Sequence, residues 1–213
     1  MHVGNDIVDL ASPYVQDKSG DRKFVQRVLT PREQQVLLKC DQPDNLLQVF
    51  WAAKESAYKL AARSFPLVSS APRRYEVCLV TAAENEREVT GQVKTPLGPV
   101  YITARHDQNV IHCIGTESCL ATKNVICGVE RINGFSQPDF CRYSEIQSRM
   151  ARASARRKIA SILSLSGNDI TITATNQKRS LTFPEVYVKG KKAGISISLS
   201  HDGRFIAYAL LCY

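Results

Sequence analysis

The sequence predicts an α+β protein made of two similar lobes, each an antiparallel sheet packed with a long helix, and three observations predict it. Residues 46–63 carry apolar side chains at helical spacing, and residues 145–165 read as a second long helix. Segments rich in β-branched residues follow each of them, and a sheet backed by a helix is the simplest way to bury both. Lastly, His106-Asp107 followed by Val110-Ile111 is echoed by His201-Asp202 followed by Phe205-Ile206 at an offset of 95, which hints at a duplicated unit.

Taken in order, residues 2–10 read as a short strand and residues 17–39 as one or two helices. Thr30-Pro31-Arg32-Glu33 supplies a helix start, with Thr as N-cap, Pro at the first position and Glu at the third. In the helix over 46–63, Leu46, Phe50, Ala53 and Ala57 share one face with Leu60 or Ala61. Trp51, Glu55, Tyr58, Lys59 and Ala62 share another, so Glu55 and Lys59, four apart, are neighbours. Strands are expected at 75–82, 88–94, 100–105 and 110–115, with Leu97-Gly98-Pro99 as a turn. Residues 123–131 open a second strand set, residues 133–138 form a loop, and Gly167 ends the helix over 145–165, which carries Arg149, Arg152 and Arg156 on one face. The C-terminal hairpin is the plainest: Ile195, Ile197 and Leu199 alternate with Ser196, Ser198 and Ser200 before a turn at Asp202-Gly203.

With 44% apolar and 23% charged residues over 213 positions, the chain is in the globular range. It has no apolar run long enough to span a bilayer and no uninterrupted apolar stretch at the N-terminus, where Asp6 and Asp9 intervene. A cytoplasmic protein with no membrane partner is the expectation. Seven cysteines without a regular spacing are expected to be reduced and mostly buried thiols. Charge is unequal along the chain: residues 1–120 hold 14 Lys and Arg against 14 Asp and Glu, and residues 121–213 hold 14 against 6. The whole excess of +8 therefore lies in the second part, which should face an anion. Nucleic acid is not the expected anion, because no basic motif is interleaved with aromatic residues.

Two short segments carry the chemistry. Gly4-Asn5-Asp6-Ile7 offers one carboxylate, and Trp51-Ala-Ala-Lys54-Glu55-Ser-Ala-Tyr-Lys59 offers a second with two ammonium groups within one and a half helical turns. Asp6 and Glu55 could hold Mg²⁺ on a diphosphate while Lys54 and Lys59 balance the remaining charge. Alternate strand residues share a face, so Val8 lies beside Asp6 and Asp9 points the opposite way.

The order and spacing of these motifs, with Ser198-Leu-Ser200-His201 near a strand end, resemble the 4′-phosphopantetheinyl transferase superfamily, whose motifs are G-x-D-[IV] and W-x-x-K-E-[SA]-x-x-K. Arg27-Val-Leu-Thr-x-x-Glu33 resembles the segment that commonly lies between the two acidic motifs. The resemblance implies a metal-binding lobe over 1–120 and a basic coenzyme A-gripping lobe over 121–213. The two would be related by a pseudo-twofold axis in permuted order, since the second lobe of surfactin-type enzymes normally comes first. It implies Mg²⁺-dependent transfer of the 4′-phosphopantetheine arm of coenzyme A to a serine of an acyl or peptidyl carrier protein. Adenosine 3′,5′-diphosphate would be released, as in the holo-acyl-carrier-protein synthases of fatty acid and polyketide biosynthesis. Asp6 and Glu55 are then the metal ligands, and Glu55, Lys59 and His201 the catalytic residues. Lys54, Lys59, Arg149, Ser200 and His201 are the residues expected on coenzyme A. Two-lobed length implies a monomer. Val8 stands where surfactin-type enzymes usually have a further acidic residue, and a glycine-lysine-proline segment is missing, with Lys178 or Arg179 as substitutes for its charge. These departures motivate the competing expectation of a catalytically silent homologue that binds coenzyme A or a carrier.

Overall fold

The computed structural model describes residues 1–80, 87–132, 140–176 and 182–212. Strand β1 (Val3–Asp9) is followed by helices α1 (Arg22–Val28), α2 (Pro31–Leu37) and α3 (Pro43–Ser64), then by strands β2 (Glu76–Leu79), β3 (Glu88–Thr95), β4 (Gly98–His106) and β5 (Val110–Thr116). A short α4 (Cys119–Thr122) leads to β6 (Ile126–Arg131), α5 (Phe140–Leu163), β7 (Ile170–Asn176), β8 (Thr182–Val188), β9 (Lys191–Lys192), β10 (Ile195–Asp202) and β11 (Phe205–Cys212). Mixed α and β structure with antiparallel sheets is thus present as expected, and the order strand, long helix, strands occurs twice. The loop expected over 133–138 lies outside the described residues, as do Lys178 and Arg179.

The first five strands form one antiparallel sheet in the order β1-β5-β4-β3-β2, and α3 covers one face of it. Its apolar stripe, including Phe50, Ala53, Ala57 and Ala61, enters a core with Val77, Val93, Val100 and Ile102. The second half departs from the expected single sheet: β10-β11-β6 and β7-β8-β9 are separate three-stranded sheets that pack together, with α5 touching both. Arg63, at the end of α3, donates to the Pro184 carbonyl of β8 (2.8 Å) and the Ile197 carbonyl of β10 (2.6 Å). A guanidinium therefore bridges the two sheets at a proline that has no N–H to give.

Three further details differ from the sequence expectation. Helix α5 ends before Gly167, at Leu163, and Ser164 adopts the left-handed conformation with φ 53°. The hairpin turn is Gly203-Arg204, one residue later than expected, because Asp202 already pairs with Phe205. Strands β7 and β8 were not anticipated, although Ile170 and Ile172 alternate with threonines. Of the six cysteines whose side chains are described, all free, only Cys113 is buried, while Cys119 and Cys212 are exposed.

Strand β1 joins the halves. Val3 packs with Ala209 and Leu211, and Ile7 with Phe205 and Ala207. Its outer edge lies along β10 in the same direction, but side chains rather than a backbone ladder satisfy it. The N–H groups of Val3, Asn5 and Asp9 donate to Ser196 Oγ (3.1 Å), Ser198 Oγ (2.9 Å) and Asp202 Oδ2 (2.8 Å), each partner 193 residues away. The opposite face of β1 meets α3 at Gly4, cross-paired with Gly115 of β5. A Cβ on Gly4 would overlap the Ser56 carbonyl.

Behind α3, Glu33 gathers the ends of several elements. Its carboxylate closes the α2 capping box on the Thr30 N–H (2.7 Å), accepts from the Val77 N–H of β2 (2.7 Å), and meets Lys54 Nζ at 2.8 Å. Lys54 also donates to the carbonyls of Pro72 (3.2 Å) and Tyr75, and both charged side chains are 1% exposed.

Two variants report on these packing points. Gly4→Ala is expected to lower stability by about 1–3 kcal/mol through overpacking against α3; a denaturation midpoint equal to wild type would show that the helix has room. Lys54→Met or Glu33→Gln alone is expected to cost about 3–5 kcal/mol, because each strands a buried charge or its acceptor, and the double variant less than their sum. Additive losses in urea unfolding would contradict the pairing.

Candidate functional site

The close contact of α3 with Gly4 sets the geometry of the face beside it. Residues 4, 6 and 8 of β1 point toward α3, so Asp6 meets Lys59, whose Nζ donates to Asp6 Oδ1 (2.7 Å) and to the Asn5 carbonyl (3.0 Å). The two side chains stay partly open, at 13% and 31% exposure. Ser56 Oγ anchors the helix by donating to the Cys113 carbonyl of β5 (3.0 Å).

Electrostatics link Glu55 to the same cluster. Burial, and then the neighbouring Asp6 carboxylate, push the Glu55 carboxyl up to about 7, against the pull of Lys59. Burial likewise raises Asp6, opposed by Lys59. Two carboxylates that share one ammonium in a poorly solvated site carry an excess negative charge. A hard divalent cation would relieve it, and oxygen donors are what such a cation takes. Among the described residues, no group of three His, Cys, Asp or Glu side chains is placed to hold a metal. Two carboxylates would therefore leave most of an octahedron to water and substrate oxygens. Val8 is 4% exposed and belongs to the first core, so no further carboxylate enters there.

From the second half, His201 comes within the field of this cluster. Burial lowers its pKa, and the charges of Lys59 and Arg152 lower it further. Arg152, on α5, also donates to Ser148 Oγ (2.7 Å). The resemblance points to Arg149 among the three arginines of this face; Arg149 is exposed, and Arg152 is the half-buried arginine whose charge acts on His201. The signal was their three-residue spacing on one helix face, which could not decide between them.

Asp6 and Lys59 are thus in contact, Glu55 and His201 lie within reach of their charges, and two other expected residues are turned elsewhere. Lys54, expected on coenzyme A, is enclosed behind α3 by Glu33 and two carbonyls; one position along a helix turns a side chain by about 100°, which takes it off the face of Glu55. Ser200, expected to grip phosphate, is 4% exposed and accepts from Asn5 Nδ2 (3.0 Å) between the halves. The same amide donates to His112 Nε2 (3.1 Å), a ring that burial and the charges of Arg105 and Lys59 hold neutral, with a pKa of about 4. Trp51 packs on Phe24, their ring centroids 6.0 Å apart.

Residues 2–99 match the family model of the 4′-phosphopantetheinyl transferase superfamily, the one suspected from the Gly4-Asn5-Asp6-Ile7 and Trp51–Lys59 motifs. Phosphopantetheine transfer is the general activity of that superfamily, and the match supports a transferase. The matched span contains Asp6, Glu33, Glu55 and Lys59 and stops before Arg149, Ser200 and His201. No curated protein matches the chain. Among the described residues, no helix is long and apolar enough to cross a membrane.

The raised Glu55 carboxyl has a measurable consequence. Between 4.5, its ordinary value, and about 7, the folded protein holds a proton that the unfolded chain has lost. Stability conferred through Glu55 is therefore greatest below this window, falls as pH rises through it, and is flat above, a loss on the order of 3 kcal/mol. With divalent cations chelated, urea unfolding at pH 5 and pH 8 should show a drop in wild type that Glu55→Gln removes. Parallel profiles for the two proteins would refute the coupling.

Proposed function

We propose, from the superfamily matched by residues 2–99, that this protein transfers the 4′-phosphopantetheine arm of coenzyme A to a serine of an acyl or peptidyl carrier protein, with Mg²⁺, releasing adenosine 3′,5′-diphosphate. The observation that carries the reading is the Asp6–Lys59–Glu55 cluster, in which two poorly solvated carboxylates share one ammonium. Asp6 and Glu55 would hold Mg²⁺, which when bound stabilises charge on the diphosphate. Glu55 takes the proton of the carrier serine. Lys59, already held at the cluster by Asp6 and the Asn5 carbonyl, neutralises diphosphate oxygens. His201, at the end of β10, donates to a phosphate oxygen, and Arg149, assisted by Arg152, holds the adenosine 3′-phosphate.

In this reading residues 1–120 and 121–213 are pseudo-twofold-related lobes in permuted order. The recurring strand, long helix, strands sequence supports it, as does a His-Asp pair at the end of each of two strands: His106 closes β4 with Asp107 next, and His201-Asp202 closes β10. One chain then makes its own cleft, as a monomer in the cytoplasm. Exposed Arg22, Lys23 and Arg27 of α1 suit an acidic carrier helix, because complementary charge steers encounter. Burial of Val8 in the core favours one second reading, a silent homologue that binds coenzyme A or a carrier without transfer.

Intact-protein mass spectrometry separates the two readings. Apo-carriers of the fatty-acid, polyketide and peptide-synthetase types, incubated with coenzyme A and Mg²⁺, should gain one phosphopantetheine; no gain on any of them would leave the silent homologue. Asp6→Ala and Glu55→Ala should each abolish transfer, with a rate loss of at least about 100-fold, while melting stays cooperative. Turnover at the wild-type rate in both would sink the metal assignment. Mg²⁺ binding should also release protons between pH 6 and 7, as about one carboxyl is displaced from its protonated form; heats independent of buffer ionisation would contradict this.

A further inference from the structure

The geometry points to Asp9 as a positioning residue that fixes the His201 end of the β10–β11 hairpin against the strand bearing Asp6, so that the second half's grip on coenzyme A depends on a carboxylate that touches no substrate. The inference rests on the transferase reading above. Asp9 is buried, its side chain 3% exposed, and its oxygens are fully engaged. Oδ1 accepts from Arg204 Nη2 (2.7 Å) and the Ala11 N–H (3.0 Å), and Oδ2 from the Arg204 N–H and Nε (both 2.8 Å). Four donors leave no lone pair for a metal, so this second acidic residue of the Gly4–Leu10 segment is not a hidden ligand.

The turn it holds is gripped from both sides. The Asp9 N–H donates to Asp202 Oδ2, and Gly203 sits at φ +48° where a Cβ would overlap the Asp9 carboxylate. On the far side the Gly203 carbonyl accepts from Tyr143 OH (2.6 Å) and Gln147 Nε2 (2.8 Å), both on α5. His201 lies two residues before Gly203, and Arg149 and Arg152 follow Gln147 on α5. Asp6 lies three residues before Asp9 on the opposite face of β1. One strand thus sets the distance between the carboxylate cluster and the residues that meet it from the second half.

The test separates coenzyme A from magnesium. In calorimetry, Asp9→Asn and Arg204→Lys are each expected to weaken coenzyme A binding about tenfold or more, while leaving Mg²⁺ binding measured without coenzyme A within about twofold of wild type. Amide exchange at Arg204 should accelerate in Asp9→Asn. Weakened Mg²⁺ binding at unchanged coenzyme A affinity would place Asp9 in the metal site and overturn the inference, as would unchanged coenzyme A affinity in Arg204→Lys. Should Asp9→Asn fail to fold, Arg204→Lys, which keeps the charge but loses the fork, decides alone. Wild-type protein that binds no coenzyme A would instead overturn the transferase reading; the positioning role is then judged by whether Arg204→Lys shifts the His201 ring resonances, and unshifted resonances overturn it.

Discussion

The molecule depends on how the outer edge of β1 is satisfied. An edge strand buried against a second lobe exposes N–H groups that cost about 1–3 kcal/mol each if left without acceptors. Here Ser196, Ser198 and Asp202 supply those acceptors from side chains, so the two halves meet without extending a common hydrogen-bonded sheet. Alternation is what makes this possible: every second residue of β10 faces β1, and small hydroxyl side chains let the backbones approach. The same strand presents Asp6 to α3 and Val3 and Ile7 to β11, so the face bearing Asp6 and the contact with the second half are built on the same seven residues.

Consecutive residues of α3 have opposite fates for the same reason of geometry. Lys54 turns into the protein and meets Glu33, which also caps α2 and receives the Val77 N–H. Glu55 turns toward Asp6. The buried ion pair anchors the helix from behind while Gly4 admits it from the front, and a shift of either contact would move Glu55 relative to β1. Lys54 therefore bears on the site through the position of its neighbour, without meeting a ligand.

Charge at the front of the helix is left incompletely balanced. Lys59 ion-pairs with Asp6, and burial together with the Asp6 carboxylate outweighs its pull on Glu55, whose proton is held to about 7. A stable fold does not need this arrangement. Sites that accept a cation or move a proton commonly show it. The second half adds positive charge around His201, consistent with the excess of Lys and Arg that residues 121–213 carry.

What the sequence determined by itself was local or motif-borne. Helical spacing located α3 and its buried face, Thr30 and Glu33 announced the α2 cap, and serine alternation announced the hairpin. The pairing of the Asp6 and Glu55 motifs named the superfamily that residues 2–99 match. These signals reside in residues a few positions apart, whose interactions are the same wherever the segment packs. Only the tertiary structure decided that Ser200 faces Asn5, that Arg152 rather than Arg149 acts on His201, that Lys54 is enclosed, and that the second half divides into two sheets. Each of those outcomes depends on partners brought from distant parts of the chain, and on which of several chemically suitable groups the packing leaves within about 3 Å.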